Sequence, residues 1–150
     1  MRIATYNVEW FSSLFDDNNQ LYNNDGWSAR YNVTRADQTA ALGVVFQALD
    51  ADAVMIIEAP DQGKKQSTLK ALENFAAHFG LRARAAVMGY SNDTQQEIAL
   101  LYDPDVITAR HDPQGEFSGP LGAKGAPRFD GALRIDLDID ATEDLVVFSK

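Results

Sequence analysis

Cysteine is absent from this chain, which excludes a disulfide framework and a thiolate metal site. A reducing cytoplasm fits that composition, and the two Asn-x-Thr sequons, at Asn32 and Asn92, are then without consequence. No apolar run approaches the ~20 residues that a membrane-spanning helix needs. The amino terminus, Met1-Arg2-Ile3-Ala4-Thr5, leads straight into a strand-like pattern, without the apolar segment and small-residue cleavage site of a secretory signal. Basic residues are also scarce: 13 Lys and Arg against 22 Asp and Glu leave a net charge of -9. That balance argues against a protein that grips nucleic acid through an extended basic face, because phosphate neutralisation needs Lys and Arg. It leaves open a site where metal ions carry part of the positive charge, and a small phosphorylated ligand. The expectation is a soluble cytoplasmic protein.

What is present suits one globular domain over residues 1–150. A chain of this length buries roughly 68–70% of the surface its unfolded form exposes, and the 45% hydrophobic content is ordinary. Arg2 to Val8 mixes β-branched and aromatic residues, as a buried first strand does. A polar stretch follows, Asp16 to Asn32, with Asn18, Asn19, Asn23, Asn24 and Asn32. It reads either as the lip of a functional site or as a variable surface insertion. Asp16-Asp17-Asn18-Asn19-Gln20 superficially suggests a calcium loop, but Leu21 stands where an EF-hand needs glycine.

The spacing then predicts a helix capped by Thr34 with Asp37 in the capping-box position, and with Leu42, Val45, Phe46 and Leu49 inward. Ala53-Val54-Met55-Ile56-Ile57 is a continuous apolar run, suited to a central strand covered on both faces, and it ends at Glu58. Ser67 opens a second helix that buries Leu69, Leu72, Phe75, Ala76 and Phe79 and stops at Gly80. Leu81 to Met88, Ile98 to Tyr102 and Val106 to Arg110 are strand candidates, and 112–127 reads as a loop. Ala132 to Asp140 alternates strictly, with Leu133, Ile135, Leu137 and Ile139 on one side and charges on the other, as in a strand with one wet face. Leu145 to Phe148 starts a further strand. This order of elements favours a layered α/β fold.

Magnesium and manganese prefer a few hard oxygen ligands, with water and substrate phosphate completing the shell. Two such groups stand at strand ends, Asn7 after the first strand and Glu58 after the most apolar one. A carboxylate there is costly unless solvated, paired or bound to a cation, and the carboxyl edge of a sheet is where α/β proteins place ligands. Spacing alone does not separate this reading from a strand that simply ends on an acid.

Ile3-Ala4-Thr5-Tyr6-Asn7-Val8-Glu9 resembles the opening strand of the endonuclease/exonuclease/phosphatase superfamily, the DNase I-like metal-dependent phosphoesterases. Asp50-Ala51-Asp52-Ala53-Val54-Met55-Ile56-Ile57-Glu58 is similar to its second motif, a hydrophobic strand ending in the metal-binding glutamate. Gln96-Glu97-Ile98-Ala99-Leu100-Leu101-Tyr102-Asp103-Pro104 and Phe129-Asp130-Gly131-Ala132-Leu133-Arg134-Ile135 resemble two later strands. The four segments fall in family order and span nearly the whole chain. The resemblance implies a β-sandwich flanked by helices, Mg²⁺ or Mn²⁺ as cofactor, and hydrolysis of a phosphodiester or phosphomonoester. The substrate is then a nucleic acid or a small phosphorylated molecule, so nuclease and phosphatase remain alternatives. It further implies Glu58 as a direct metal ligand, Asn7 as the amide holding a metal-site water or the phosphate, and Glu9 in the outer metal shell.

The same family also requires a phosphate-contacting histidine, an Asp-x-Asn pair and a final Asp-His pair, all in its second half. None is matched here. His78, near the end of the second helix, reads as a capping or dipole contact, and His111 as a solvated residue of the Arg110-His111-Asp112-Pro113 loop. The expectation is therefore the N-terminal half of the fold, with an incomplete active site. Either a missing C-terminal half or an oligomer would cover the inner sheet face and an edge at Val146-Val147. The alternative is a catalytically incomplete scaffold or binding module on the same fold. Lys64-Lys65 beside Gly63 reads as a solvated helix start rather than a phosphate contact. Asp136, Asp138 and Asp140 read as a solvent face. The Gly119 to Gly125 run lacks the order of a phosphate loop. Trp10, Phe11 and Trp27 either stack on a base or sugar or pack in the core.

Overall fold

A computed structural model describes residues 1–89, 97–112, 132–137 and 145–148. It is a mixed α/β structure. Four strands, β1 (Ile3–Asn7), β2 (Ala53–Ala59), β3 (Ala85–Met88) and β4 (Glu97–Tyr102), form one sheet in the order β1-β2-β4-β3. β1 and β2 are parallel and joined through helix α1 (Arg35–Leu49), whereas β2–β4 and β3–β4 are antiparallel. Helix α2 (Thr68–Phe79) links β2 to β3. Among the described residues a second sheet has the order β5-β6-β7, with β5 (Ile107–Asp112), β6 (Ala132–Leu137) and β7 (Leu145–Phe148).

Both helix starts follow local chemistry. Thr34 Oγ1 accepts the Asp37 backbone N–H at 3.0 Å, the first half of the predicted capping box, and Asp37 Oδ2 answers by accepting from the Thr34 hydroxyl at 2.7 Å. Ser67 caps α2 by accepting from Lys70 N, and Gly80 at φ 61° ends it in the left-handed conformation that glycine adopts at least cost. Lys64 and Lys65 precede that cap and belong to the connecting segment rather than to a helix start.

Alternation along the strands sends one side of each toward the helices. Ala4 and Tyr6, Val54 and Ile56, Ala86 and Met88, and Ala99 and Leu101 pack with Leu42, Phe46, Ala71, Leu72, Phe75 and Ala76. Phe75 is the hub. Its ring meets Phe11 and Phe46 edge-on at 5.1 Å each, and Phe79 at 4.9 Å. Aromatic pairs in these arrangements add about 0.5–1.5 kcal/mol each beyond area burial. The helices meet at Gly43, where an added Cβ would lie 2.1 Å from Phe79 Cε1. That close approach turns α1 so that Gln38, Thr39, Leu42, Gly43 and Phe46 are buried, while Val45, predicted inward, faces out. On the opposite sheet face Ala53 and Leu100 are buried with Ile107 of β5, with Met55 and Val87 packed around them. Ile3 and Ile57, on the same face, are 41% and 36% exposed.

The start of β3 and the end of β5 differ from the sequence pattern. Leu81 to Arg84 lies outside β3, since Arg82 and Arg84 turn their guanidinium groups onto acidic residues. β5 runs on to Asp112 because β6 pairs with it throughout, so His111 sits in a strand opposite Leu133 and is half-buried. Asp112, predicted as the first loop residue, thus belongs to the strand. The remainder of the predicted loop, with the glycine-rich 119–125 run, lies outside the described residues, as do Asp138 and Asp140. Val146 and Val147 pair with Arg134 and Leu133 on one side.

The polar stretch 16–34 is tied down rather than structureless. Asp16 Oδ1 accepts from Asn18 N and Gln20 N at 2.8 Å each, so the carboxylate of the apparent calcium loop is occupied in holding a turn. Bridges pair Phe15 with Leu21 and Trp27 with Thr34. Asn19, Asn23 and Asn32 take φ values of 64°, 40° and 56°, which explains the abundance of asparagine, the side chain that tolerates this region best after glycine. Asn19 is buried and accepts the Ser67 N–H through Oδ1, while Asn74 Nδ2 donates to its carbonyl at 2.7 Å. The stretch is thereby docked onto the start of α2.

Candidate functional site

Parallel pairing sets Asn7 opposite Ile57, so the carboxyl ends of β1 and β2 bring Asn7 and Glu58 side by side. The ladder between β2 and β4 slips by one residue between Ile57 and Ala59, leaving Glu58 as a bulge residue at φ 59°. Bulges re-aim a side chain and mark functional edges. A left-handed glutamate costs about 1–2 kcal/mol, which locates strain at the residue singled out from the sequence. Glu58 is half-buried, and Asn7 Nδ2 donates to its Oε1 at 3.4 Å. Only the nitrogen of an amide can donate to a carboxylate, so Asn7 Oδ1 remains available to a cation or water.

Glu9, the third predicted residue, lies beyond β1 and is exposed. Its Oε2 is 3.7 Å from Arg30 Nη1, and its carbonyl accepts from Gln38 Nε2 at 3.1 Å. Glu9 and Glu58 line the same cleft of ≈ 870 Å³, together with Trp10, Ser12, Asp61 and Lys64. Asn7 and Glu9 line an adjoining cleft of ≈ 540 Å³ against α1. The three predicted residues therefore meet at one sheet edge, with Glu9 between the two depressions.

The cleft walls are cross-braced. Asp61 N donates to Ser12 Oγ at 2.7 Å, Thr68 Oγ1 to the Pro60 carbonyl at 2.7 Å, and Gln66 Nε2 to the Phe15 carbonyl at 3.3 Å. Lys65 Nζ meets Asp17 Oδ2 at 2.8 Å, a contact that holds the ammonium above its ordinary pKa. Convergence of Asp17, Asp61 and the two lysines is not predicted by spacing, because it depends on the 16–34 stretch docking on α2. Glu97, named in a motif but given no role, is fully buried and pairs across the ladder with Ala59, one register step from the Ile57–Ile98 pair that precedes the bulge.

His78 and His111 line neither cleft. His78 is exposed in the last turn of α2, its ring edge-on to Phe79 at 4.7 Å. Among the described residues no three His, Cys, Asp or Glu side chains are grouped to share a metal ion, and no helix is long and apolar enough to cross a membrane. A hard cation held by one or two protein oxygens, with water and phosphate filling its shell, matches the donors that remain. No protein-family model, curated protein or solved structure matches the chain.

Proposed function

We propose that this chain carries the metal-binding portion of a Mg²⁺- or Mn²⁺-dependent phosphoesterase with a DNase I-like fold, of the endonuclease/exonuclease/phosphatase type. The observation that carries the reading is the pairing of Asn7 with a strained Glu58 at the carboxyl end of two parallel strands. A stability-driven sequence has no reason to keep a left-handed glutamate there, whereas a ligand that must point into a cleft does.

In this reading Glu58 and the free Oδ1 of Asn7 hold the ion, and Glu9 acts from the outer shell. When bound, the ion polarises a phosphoryl oxygen and stabilises the leaving oxygen of a hydrolysed phosphoester. The Asn7 amide fixes the Glu58 carboxylate by donating to Oε1, so the remaining oxygen is oriented before substrate arrives. Arg30 holds Glu9 at the rim.

The test is the native protein with a simple phosphodiester, with and without MgCl₂, beside its Glu58→Gln variant. Hydrolysis that depends on magnesium and falls by about 100-fold or more in the variant, with circular dichroism unchanged, is the expected result. Undiminished turnover in the variant overturns it. A second reading, a binding module that has lost its chemistry, is favoured by the placement of both described histidines away from the clefts. Magnesium-dependent turnover excludes that reading.

A further inference from the structure

The ring of Trp10 presents a surface that the fold does not use. Its neighbours Phe11 and Leu14 are fully buried in the core, yet Trp10 is 55% exposed and lines the same cleft as Glu58. Its backbone is fixed at φ 63°, and its carbonyl accepts from Ser13 Oγ at 2.7 Å and from Ser13 N at 3.2 Å. A bulky residue in this conformation is uncommon. Here the backbone is locked while the indole is left in solvent, a rigid apolar plate at low entropic cost.

Lys64 and Lys65 line the same cleft. Lys65 is engaged by Asp17, whereas Lys64 is exposed and forms no ion pair among the described residues. The acids that face the same space are Glu9, held by Arg30, Asp17, held by Lys65, and Asp61 and Glu58, which have no cationic partner among the described residues. Flat aromatic plate, spare ammonium and a carboxylate suited to a cation make a three-part address for one kind of molecule.

We infer that this cleft recognises a nucleotidyl phosphoester, with the base stacked on Trp10 and the phosphate turned toward Lys64 and Glu58. The inference rests on the phosphoesterase reading and narrows its substrate to one that carries a base. A sugar phosphate or inositol phosphate has no π-face and offers the indole C–H contacts alone, a weaker match for an exposed flat ring. Base–aromatic stacking is sequence-tolerant, since each base has a π-face.

Because the chain has two tryptophans, the indole N–H signals of ¹⁵N-labelled native protein resolve Trp10 once Trp27→Phe has assigned the other. The ligands are thymidine 5′-monophosphate, thymidine and deoxyribose 5-phosphate, each in MgCl₂ and in EDTA. Both base-bearing ligands are expected to shift the Trp10 signal and leave Trp27 in place, and deoxyribose 5-phosphate is expected to leave both. The nucleotide should saturate at up to about fivefold lower concentration than the nucleoside, by the charge magnitude usual for an exposed pair. Lys64→Ala should narrow that gap in magnesium and close it in EDTA. An unmoved Trp10, or an equal response to the sugar phosphate, overturns the inference. A shift at Trp10 without any hydrolysis keeps this subsite and defeats the phosphoesterase reading; hydrolysis lost in Glu58→Gln with Trp10 unmoved does the reverse. A single-stranded oligothymidylate separates two sources of the same chemistry. Affinity equal to the mononucleotide identifies a free nucleotide, as the net charge of -9 suggests, and much tighter binding identifies a strand.

Discussion

The two ends of the four-stranded sheet carry acids of the same kind and treat them in opposite ways. At the end where β1 and β2 begin, every acid has an arginine. Arg82 bonds Asp50 at 2.8 Å and also Asp52, Arg84 bonds Asp103 at 3.3 Å and Asp105 at 2.9 Å, and Arg2 reaches Asp50 at 3.6 Å. The backbone N–H of Arg2 also donates to Asp52. At the other end Glu9 has Arg30 at 3.7 Å, whereas Glu58, among the described residues, has the Asn7 amide at 3.4 Å and no cation. Each end even holds one left-handed acid, Asp50 at φ 41° and Glu58 at φ 59°. Asp50 caps α1 and is engaged by two arginines, so its conformation serves the fold. Among the described residues Glu58 has no such compensation. The first end is built for stability; in the proposed reading the second is left for a cation that arrives from outside.

Substitutions can break that contrast. The largest effect is expected at Glu58→Gln, which should cost about 100-fold in metal-dependent hydrolysis, the upper end of what losing even an outer-shell partner of a metal costs. The matching change at the other end, Asp52→Asn, should leave metal binding intact and lower stability by about 1 kcal/mol, read as a urea midpoint. Glu58→Gly should raise stability by about 1 kcal/mol, by relieving the left-handed conformation. Asp50→Gly should bring no gain, because the same relief is cancelled by losing the carboxylate's contacts with Arg2 and Arg82.

The pH response sharpens the comparison. The Arg2 backbone N–H, and after it the Arg82 guanidinium, hold the Asp52 carboxyl below the usual carboxylate range, against the opposing effect of burial. A depressed folded-state pKa stabilises the fold above the ordinary carboxyl value of about 4, and that contribution disappears as pH falls through the lower folded value. Acid titration of the urea midpoint should therefore be shallower below pH about 4 in Asp52→Asn than in the native protein.

Much of this architecture is legible in local sequence. Thr34 with Asp37, Ser67 and Gly80 fix helix ends through contacts within a few residues, and the Ala53–Ile57 run announces an inner strand. Asn7 and Glu58 are legible as a pair of strand ends. What local pattern does not carry is register. The slip between Ile57 and Ala59 exists only against β4, and it is the slip that aims Glu58. Likewise Val45 satisfies the helical spacing but loses its place to Gly43, which lets α1 approach the Phe79 ring. The 16–34 stretch reads as a loop because its order comes from Asn19 docking on residues 67 and 74, far away in sequence. Lys64 enters the cleft only through that docking.

Manganese binding followed by electron paramagnetic resonance, in the native protein and in Glu58→Gln, tests the central claim most directly. The account predicts a bound-ion signal in the native protein that weakens by at least about tenfold in the variant, with the urea midpoint equal or higher. Equal manganese binding by both proteins would contradict it and would leave Glu58 as a strained strand end without a ligand to hold.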